Sequence, residues 1–583
     1  MRSPLRRPLV ALAVLGLGLA GCSGPEQPDT VAAEFADALR RDDVAAAARL
    51  TTDPAAATPV LEGLYRALGT ENEVAVRSAD GGDFTLDVTW KLGPGGRNLW
   101  QYTTSGLATD TDAGWRVKWS PATVAPGLDA GPLEYSPAYG DPARVLDAAG
   151  GELMTEQVVT LVNLAPDADT AGVAALVAPV APGLTAQTLD TELAAAQGRT
   201  VTAITLRDAD IAPIQNRLSA LRGVTLAPQP RLLTVDRALA GPPLAGLAEL
   251  WQQEADAAAG WWVRAETPQG DRRVAGRDPR ATADIASTLE PELHRAAEAA
   301  LAPIPTPAAV VALRPSTGAV VAVAQNAAAD AQGALALTGL YPPGSTFKTV
   351  TAAAALQAGA ATPDTVLPCP GRADIEGRRI PNDDDFDLGR VPLHTAFARS
   401  CNTTMAALAV GLPPTALTDA AAQLGLGIDY VTPGLTTVTG SVPAAETPAQ
   451  RVEASIGQGQ VTASPFGMAL VGAALAQGSV PAPAVVQGRP GTPDRIPPAL
   501  PAGIADDVRS MMRETVTGGT ATALRDIPGL LGKTGTAEYG DGTAAHGWFL
   551  GIDGDLAFAV FVADAGSSEP AVAGAGRMLR ATR

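Results

Sequence analysis

Tyr341-Pro-Pro-Gly-Ser-Thr-Phe-Lys-Thr-Val350 sets Ser345 and Lys348 three residues apart, directly after a helix-breaking Pro-Pro-Gly. The stretch that follows, Thr351-Ala-Ala-Ala-Ala-Leu356, has helical composition, which puts Ser345 at a helix N-terminus. Residues i and i+3 share a helix face, so Lys348 Nζ can reach back toward Ser345 Oγ. Two readings follow: a capping serine beside a surface lysine, or a nucleophile beside its base. Lysine is scarce, with four (Lys91, Lys118, Lys348, Lys533) against 38 arginines. Chemistry that needs a deprotonated amine has few places to be.

Two further stretches bear on the choice. Arg399-Ser400-Cys401-Asn402-Thr403 lies between helical segments. Ser400 offers a hydroxyl that can relay a proton, and Asn402 a donor and an acceptor for a substrate amide. Leu531-Gly-Lys533-Thr534-Gly535-Thr536 opens a β-run. Gly535 would let a ligand lie close to the strand, Lys533 and the hydroxyls of Thr534 and Thr536 can hold a carboxylate, and an exposed strand edge can pair with an extended peptide. Each alone has an ordinary structural explanation as a cap, a loop serine or a strand lysine.

Together, in the order Ser-x-x-Lys, Ser-x-Asn, Lys-Thr-Gly, they resemble the signature of penicillin-binding proteins and serine β-lactamases. Cys401 stands where class A β-lactamases commonly carry Asp. Ile456–Ala469, Met511–Thr520 and His546–Gly551 also resemble the penicillin-binding transpeptidases, and the likeness covers about residues 300–583. Arg144-Val-Leu-Asp-Ala-Ala-Gly-Gly151 resembles the segment that opens the pedestal of class B enzymes, without its second Arg and its Asn. The layout is similar to that of actinobacterial penicillin-binding lipoproteins.

The resemblance implies a D,D-transpeptidase that cross-links peptidoglycan stem peptides ending in D-Ala-D-Ala. Ser345 would attack the penultimate D-Ala carbonyl, Lys348 would accept its proton, and Ser400 would relay a proton to the leaving D-Ala. Backbone N–H groups of Ser345 and Thr536 would form the oxyanion hole. Lys533, Thr534, Gly535 and Thr536 would seat the terminal carboxylate, and Asn402 the peptide. β-Lactams would acylate Ser345, and cell-wall synthesis proteins are the expected partners. A β-lactamase or D,D-carboxypeptidase is the alternative enzyme, and a silent wall scaffold or β-lactam sensor the non-catalytic one. Some 300 residues before the catalytic domain favour wall synthesis over simple hydrolysis.

Composition agrees with a globular protein: 46% of the 583 residues are hydrophobic and 18% charged. A net charge of −19 argues against a nucleic-acid partner. His294, His394 and His546 have no Cys or His at ligand spacing, so neither a metal nor a cofactor is expected. Cys369 and Cys401 read equally as a disulfide or as two buried thiols.

At the N-terminus, Arg2, Arg6 and Arg7 precede an apolar run, Leu9 to Ala20, too short to span a membrane. It ends in Leu19-Ala20-Gly21-Cys22, which resembles a bacterial lipobox. This implies cleavage before Cys22, its lipidation, and a lipid-anchored protein on the extracytoplasmic face of the cell membrane.

The expected organisation is multidomain α+β. Residues 1–21 are a lipoprotein signal peptide and 22–28 a Pro-rich tether. Residues 29–138, helices followed by alternating strands such as Phe84-x-Leu-x-Val-x-Trp-x-Leu92, are similar to NTF2-like domains. Residues 139–280 form a pedestal of the dimerisation type. In 281–583, β-runs at both ends enclose a helical middle, which implies an antiparallel sheet built from distant segments, flanked by an all-helical subdomain, as in the serine-transpeptidase/β-lactamase-like fold.

Overall fold

The computed structural model describes residues 27–540 and 544–583; the expected signal peptide, Cys22 and the tether through residue 26 lie outside the described residues. The chain divides into two compact units, one running to Gly140 and including Ala258–Ala281, the other Asp141–Ala257 with Thr282–Arg583.

In the first unit, helices Pro28–Arg40, Val44–Arg49 and Pro54–Leu68 precede an antiparallel sheet of Asn72–Asp80, Asp83–Leu92, Asn98–Thr111 and Gly114–Val117 in sequence order. Asp43 and Asp53 cap the second and third helices through the amides of Ala46 and Ala56. Phe84, Leu86, Val88, Trp90 and Leu92 all point inward against Val31, Phe35, Leu39 and Leu61, so the aromatic stripe is core. A second sheet pairs Leu133–Ala138 with Gly260–Ala265, and that strand with Arg272–Arg277. These last two strands fall within the segment that the sequence reading assigns to the pedestal. Trp261, Val263 and Ala265 alternate inward to join the core that holds Val124 and Leu133.

The second unit begins with a sheet centred on Glu152–Leu164, which pairs along almost its whole length with Val224–Thr234 and over its later half with Val201–Arg207. Its later part is built on β1 (Ala308–Arg314), β2 (Ala319–Gln325), β3 (Leu531–Tyr539), β4 (Ala544–Ile552) and β5 (Ala557–Val562). They form one antiparallel sheet in the order β2-β1-β5-β4-β3, which places β3 at an edge.

β1, β2, β4 and β5 read as largely apolar runs because both faces are covered, whereas β3 carries Lys533, Thr534 and Thr536. Ala308, Val310 and Ala312 face α1 (Pro291–Leu301) and the closing helix Glu569–Ala581. Ala309, Val311 and Leu313 face the helical subdomain. There, Pro465–Gln477 is buried from Pro465 to Leu475, as a helix that is apolar on every side must be. The N-cap of α1 is Glu290, and Thr288 Oγ1 donates to Val320 O and Ala484 O. The helical middle is also interrupted by short ribbons, Val366–Cys369 with Gly389–Pro392 and Arg372–Ile375 with Arg378–Pro381. Among the described residues no helix is long and apolar enough to cross a membrane.

Candidate active site

Ser345 occupies a single 3₁₀ turn, Gly344–Phe347, that runs directly into α2 (Lys348–Gln357). The turn is pressed against β3. Gly344 has φ +52°, and a Cβ there would lie 2.5 Å from Thr536 O. A Cβ on Gly535 would meet Thr346 Cγ2 at 2.9 Å and Pro343 O at 3.0 Å. Gly535 thus makes room for the turn that carries Ser345. Behind the turn, Trp548 Nε1 on β4 donates to Pro342 O at 3.0 Å, which fixes where the chain enters it.

Ser400 follows α3 (Leu393–Ala398). Its amide donates to Phe397 O and the next amide, of Cys401, to Ala396 O. That pattern is a Schellman motif, whose left-handed position usually holds glycine. Here Ser400 takes it, with φ +62°. A non-glycine residue in this region costs about 1–2 kcal/mol, so surrounding contacts must hold it, and two lysines do. Lys348 Nζ donates to Ser400 O at 2.7 Å and reaches Ser400 Oγ at 3.1 Å. Lys533 Nζ, from β3, donates to Ser400 Oγ at 3.0 Å and to Thr534 O at 2.9 Å.

Lys348 makes a third bond, to Asn402 Oδ1, at 2.5 Å. The reach back to Ser345 Oγ expected from the i, i+3 spacing is not among the hydrogen bonds of the described residues. A buried amine needs acceptors, and Ser400 O and Asn402 Oδ1 supply them. Asn402, read from the sequence as a peptide anchor, uses its oxygen on Lys348 and its Nδ2 on Pro381 O.

Both lysines are completely buried. Burial holds the Lys348 ammonium well below its ordinary pKa, and the charge of Lys533 lowers it further, while the Asp383 carboxylate acts the other way. Burial alone pushes Lys533 down to about 7. Lys533 can therefore shed its proton near neutrality, and Lys348 gives up its own far more readily than a solvated lysine, the condition for a base that must accept one.

Above them opens a cleft of about 500 Å³, lined by Ser345, Ser400, Asn402, Thr534 and Thr536. Lys348, Lys533 and Gly535 lie beneath its walls. The acids Asp383, Asp384, Glu538 and Glu569 also line it, so the run Asn382–Asp387 borders the cleft. Cys369 and Cys401 are joined in a disulfide with Cα atoms 6.2 Å apart, which ties the Ser400 loop to the preceding ribbon. Among the described residues no group of His, Cys, Asp or Glu could hold a metal ion.

Sequence reasoning missed Thr520, whose hydroxyl lies 2.6 Å from Thr534 Oγ1, and Asn382, which is buried. No spacing rule marks either, since each acts on a residue far along the chain.

Residues 308–578 match the penicillin binding protein transpeptidase domain, and residues 27–132 the NTF2-like N-terminal transpeptidase domain. The peptidoglycan D,D-transpeptidase PbpA of Mycolicibacterium smegmatis is 31% identical over 359 residues, 52% of this chain and 71% of that protein. PbpA of Mycobacterium tuberculosis is 29% identical over 324 residues, 47% of this chain and 65% of its own length. A solved chain from a study titled "Structural coordination of polymerization and crosslinking by a peptidoglycan synthase complex" shares the fold. Its TM-score is 0.56 at 21% identity, covering 77% of this chain and 91% of that one. With a three-part signature gathered around one cleft, and a relative above 30% identity matched over most of its length, the chain belongs to the class B penicillin-binding transpeptidases.

Proposed function

We propose that this chain is a peptidoglycan D,D-transpeptidase working through an acyl-enzyme on Ser345. The observation that carries the reading is the convergence of two buried lysines on one hydroxyl, Ser400 Oγ, in the wall of the cleft that Ser345 lines. A hydroxyl has two acceptor sites and one proton. With Lys533 donating to Ser400 Oγ, and Lys348 able to donate or accept there, Ser400 can pass a proton between the cleft and Lys348.

In the acylation step, Ser345 Oγ attacks the carbonyl of the penultimate D-Ala and its proton passes to neutral Lys348. The C–O bond forms, the tetrahedral oxyanion is held by backbone N–H groups of Ser345 and Thr536, and the C–N bond to the terminal D-Ala breaks. Ser400 hands a proton to the departing amine and is reprotonated from Lys348. In the second step the amine of another stem peptide attacks the ester, loses its proton through the same relay, and releases Ser345. Lys533, Thr534 and Thr536 receive the terminal carboxylate, and the free edge of β3 pairs with the extended peptide. β-Lactams enter the same first step and stop there.

Lipidation of Cys22 would hold the enzyme at the extracytoplasmic membrane surface, within reach of its polymer substrate and of other wall-synthesis proteins. The test is to incubate the protein with a stem peptide ending in D-Ala-D-Ala and a second peptide bearing a free side-chain amine. A cross-linked product supports the reading. Release of D-Ala with water as the only acceptor identifies a carboxypeptidase instead.

A further inference from the structure

The acidic run beside the cleft contains one residue unlike its neighbours. Asp383, Asp384 and Asp385 are exposed, whereas Asn382 is only 2% exposed. All of its carboxamide valences are used. Oδ1 accepts from Asn402 N at 2.8 Å and Thr403 N at 3.2 Å, and Nδ2 donates to Pro370 O and Phe386 O, both at 2.9 Å.

The two amides it accepts from are the first of α4 (Asn402–Val410), whose own N-cap residue, Cys401, provides no side-chain cap. A helix start leaves such amides without partners. Here the cap comes from 20 residues upstream. The next link is Asn402 itself, whose Oδ1 holds Lys348 Nζ and whose Nδ2 returns to Pro381 O, beside Asn382.

We infer that Asn382 is a positioning residue for acyl transfer, acting through Asn402 to set Lys348 Nζ and Ser400 against Ser345. It touches no reacting atom. This inference rests on the reading of Ser345 and Lys348 given above. The side chain must be an amide. An apolar side chain leaves two helix amides and two carbonyls without partners. A carboxylate accepts from both amides but turns its oxygens toward Pro370 O and Phe386 O, and adds a negative charge to the loop. The charged groups acting on Lys348 are Lys533 from β3 and Asp383 from that loop. A second negative charge there would hold the ammonium on Lys348 to higher pH.

The experiment measures the rate of Ser345 acylation by a fluorescent penicillin from pH 5 to 9, with thermal melting alongside, in the parent, Asn382→Leu and Asn382→Asp. Asn382→Leu is expected to slow acylation on the order of 10- to 100-fold, with little change in the initial non-covalent binding. In Asn382→Asp the rising limb of the pH–rate profile is expected to move to higher pH. If both variants acylate at the parental rate with the parental pH midpoint, whatever their melting temperatures, the inference is overturned. Should Asn382→Leu not fold, Asn382→Asp decides alone, and a parental rate and midpoint in it overturns the inference. A parent that is never acylated at Ser345 contradicts the underlying reading instead.

Discussion

Lys533 Nζ and Ser400 Oγ, on β3 and in the loop after α3, lie 3.0 Å apart with the lysine completely buried. This contact joins the sheet to the helical subdomain across the floor of the cleft, and several expectations rest on it.

The first concerns pH and stability. Burial lowers Lys533 from 10.5 to about 7 in the folded protein. Between those two values the unfolded chain binds more protons at this site than the folded one, so stability rises with pH through the window. Replacing the group by methionine removes the penalty of burying an ammonium. Lys533→Met should therefore be the more stable protein below about pH 7, by a margin that shrinks toward pH 9. Melting curves at several pH values check this; a margin that is constant or grows with pH contradicts it.

A second expectation concerns the strain at Ser400. Ser400→Ala and Ser400→Gly both lose the hydroxyl that the lysines share. Only glycine relieves the φ of +62°. Ser400→Gly should thus be more stable than Ser400→Ala by about 1 kcal/mol, while both lose acylation by on the order of 10²- to 10⁴-fold. Denaturant unfolding together with penicillin acylation rates separates the two effects.

The disulfide gives a third. Cys369 and Cys401 are 32 residues apart in sequence, and a closed loop of that size constrains the unfolded chain by about 3–4 kcal/mol. The Cys369→Ala/Cys401→Ala double variant should lose stability of that order. It should also acylate more slowly, because Cys401 lies between Ser400 and Asn402. Acylation at the parental rate would show that the Ser400 loop needs no such tie.

Much of this architecture can be read from the residues themselves. The β-runs at the two ends of residues 281–583 point to one antiparallel sheet built from distant segments, and the three short motifs lie around one cleft. What escapes is whatever depends on remote partners. The i, i+3 spacing of Ser345 and Lys348 gives reach but not choice, and the buried amine goes to Ser400 and Asn402 because they offer acceptors. Asn382 sits in an acidic run that looks solvated, and only the fold turns it onto α4. The strands at Gly260–Ala265 and Arg272–Arg277 are too short to declare that they complete a sheet begun at Leu133.

The central claim is that Ser345 carries the acyl group. Treating the protein with a β-lactam, digesting it and locating the added mass by tandem mass spectrometry tests this most directly. The account predicts a single adduct on the peptide containing Ser345, absent in Ser345→Ala and strongly reduced in Lys348→Ala. An adduct on any other residue, or one that persists undiminished in Ser345→Ala, would contradict it.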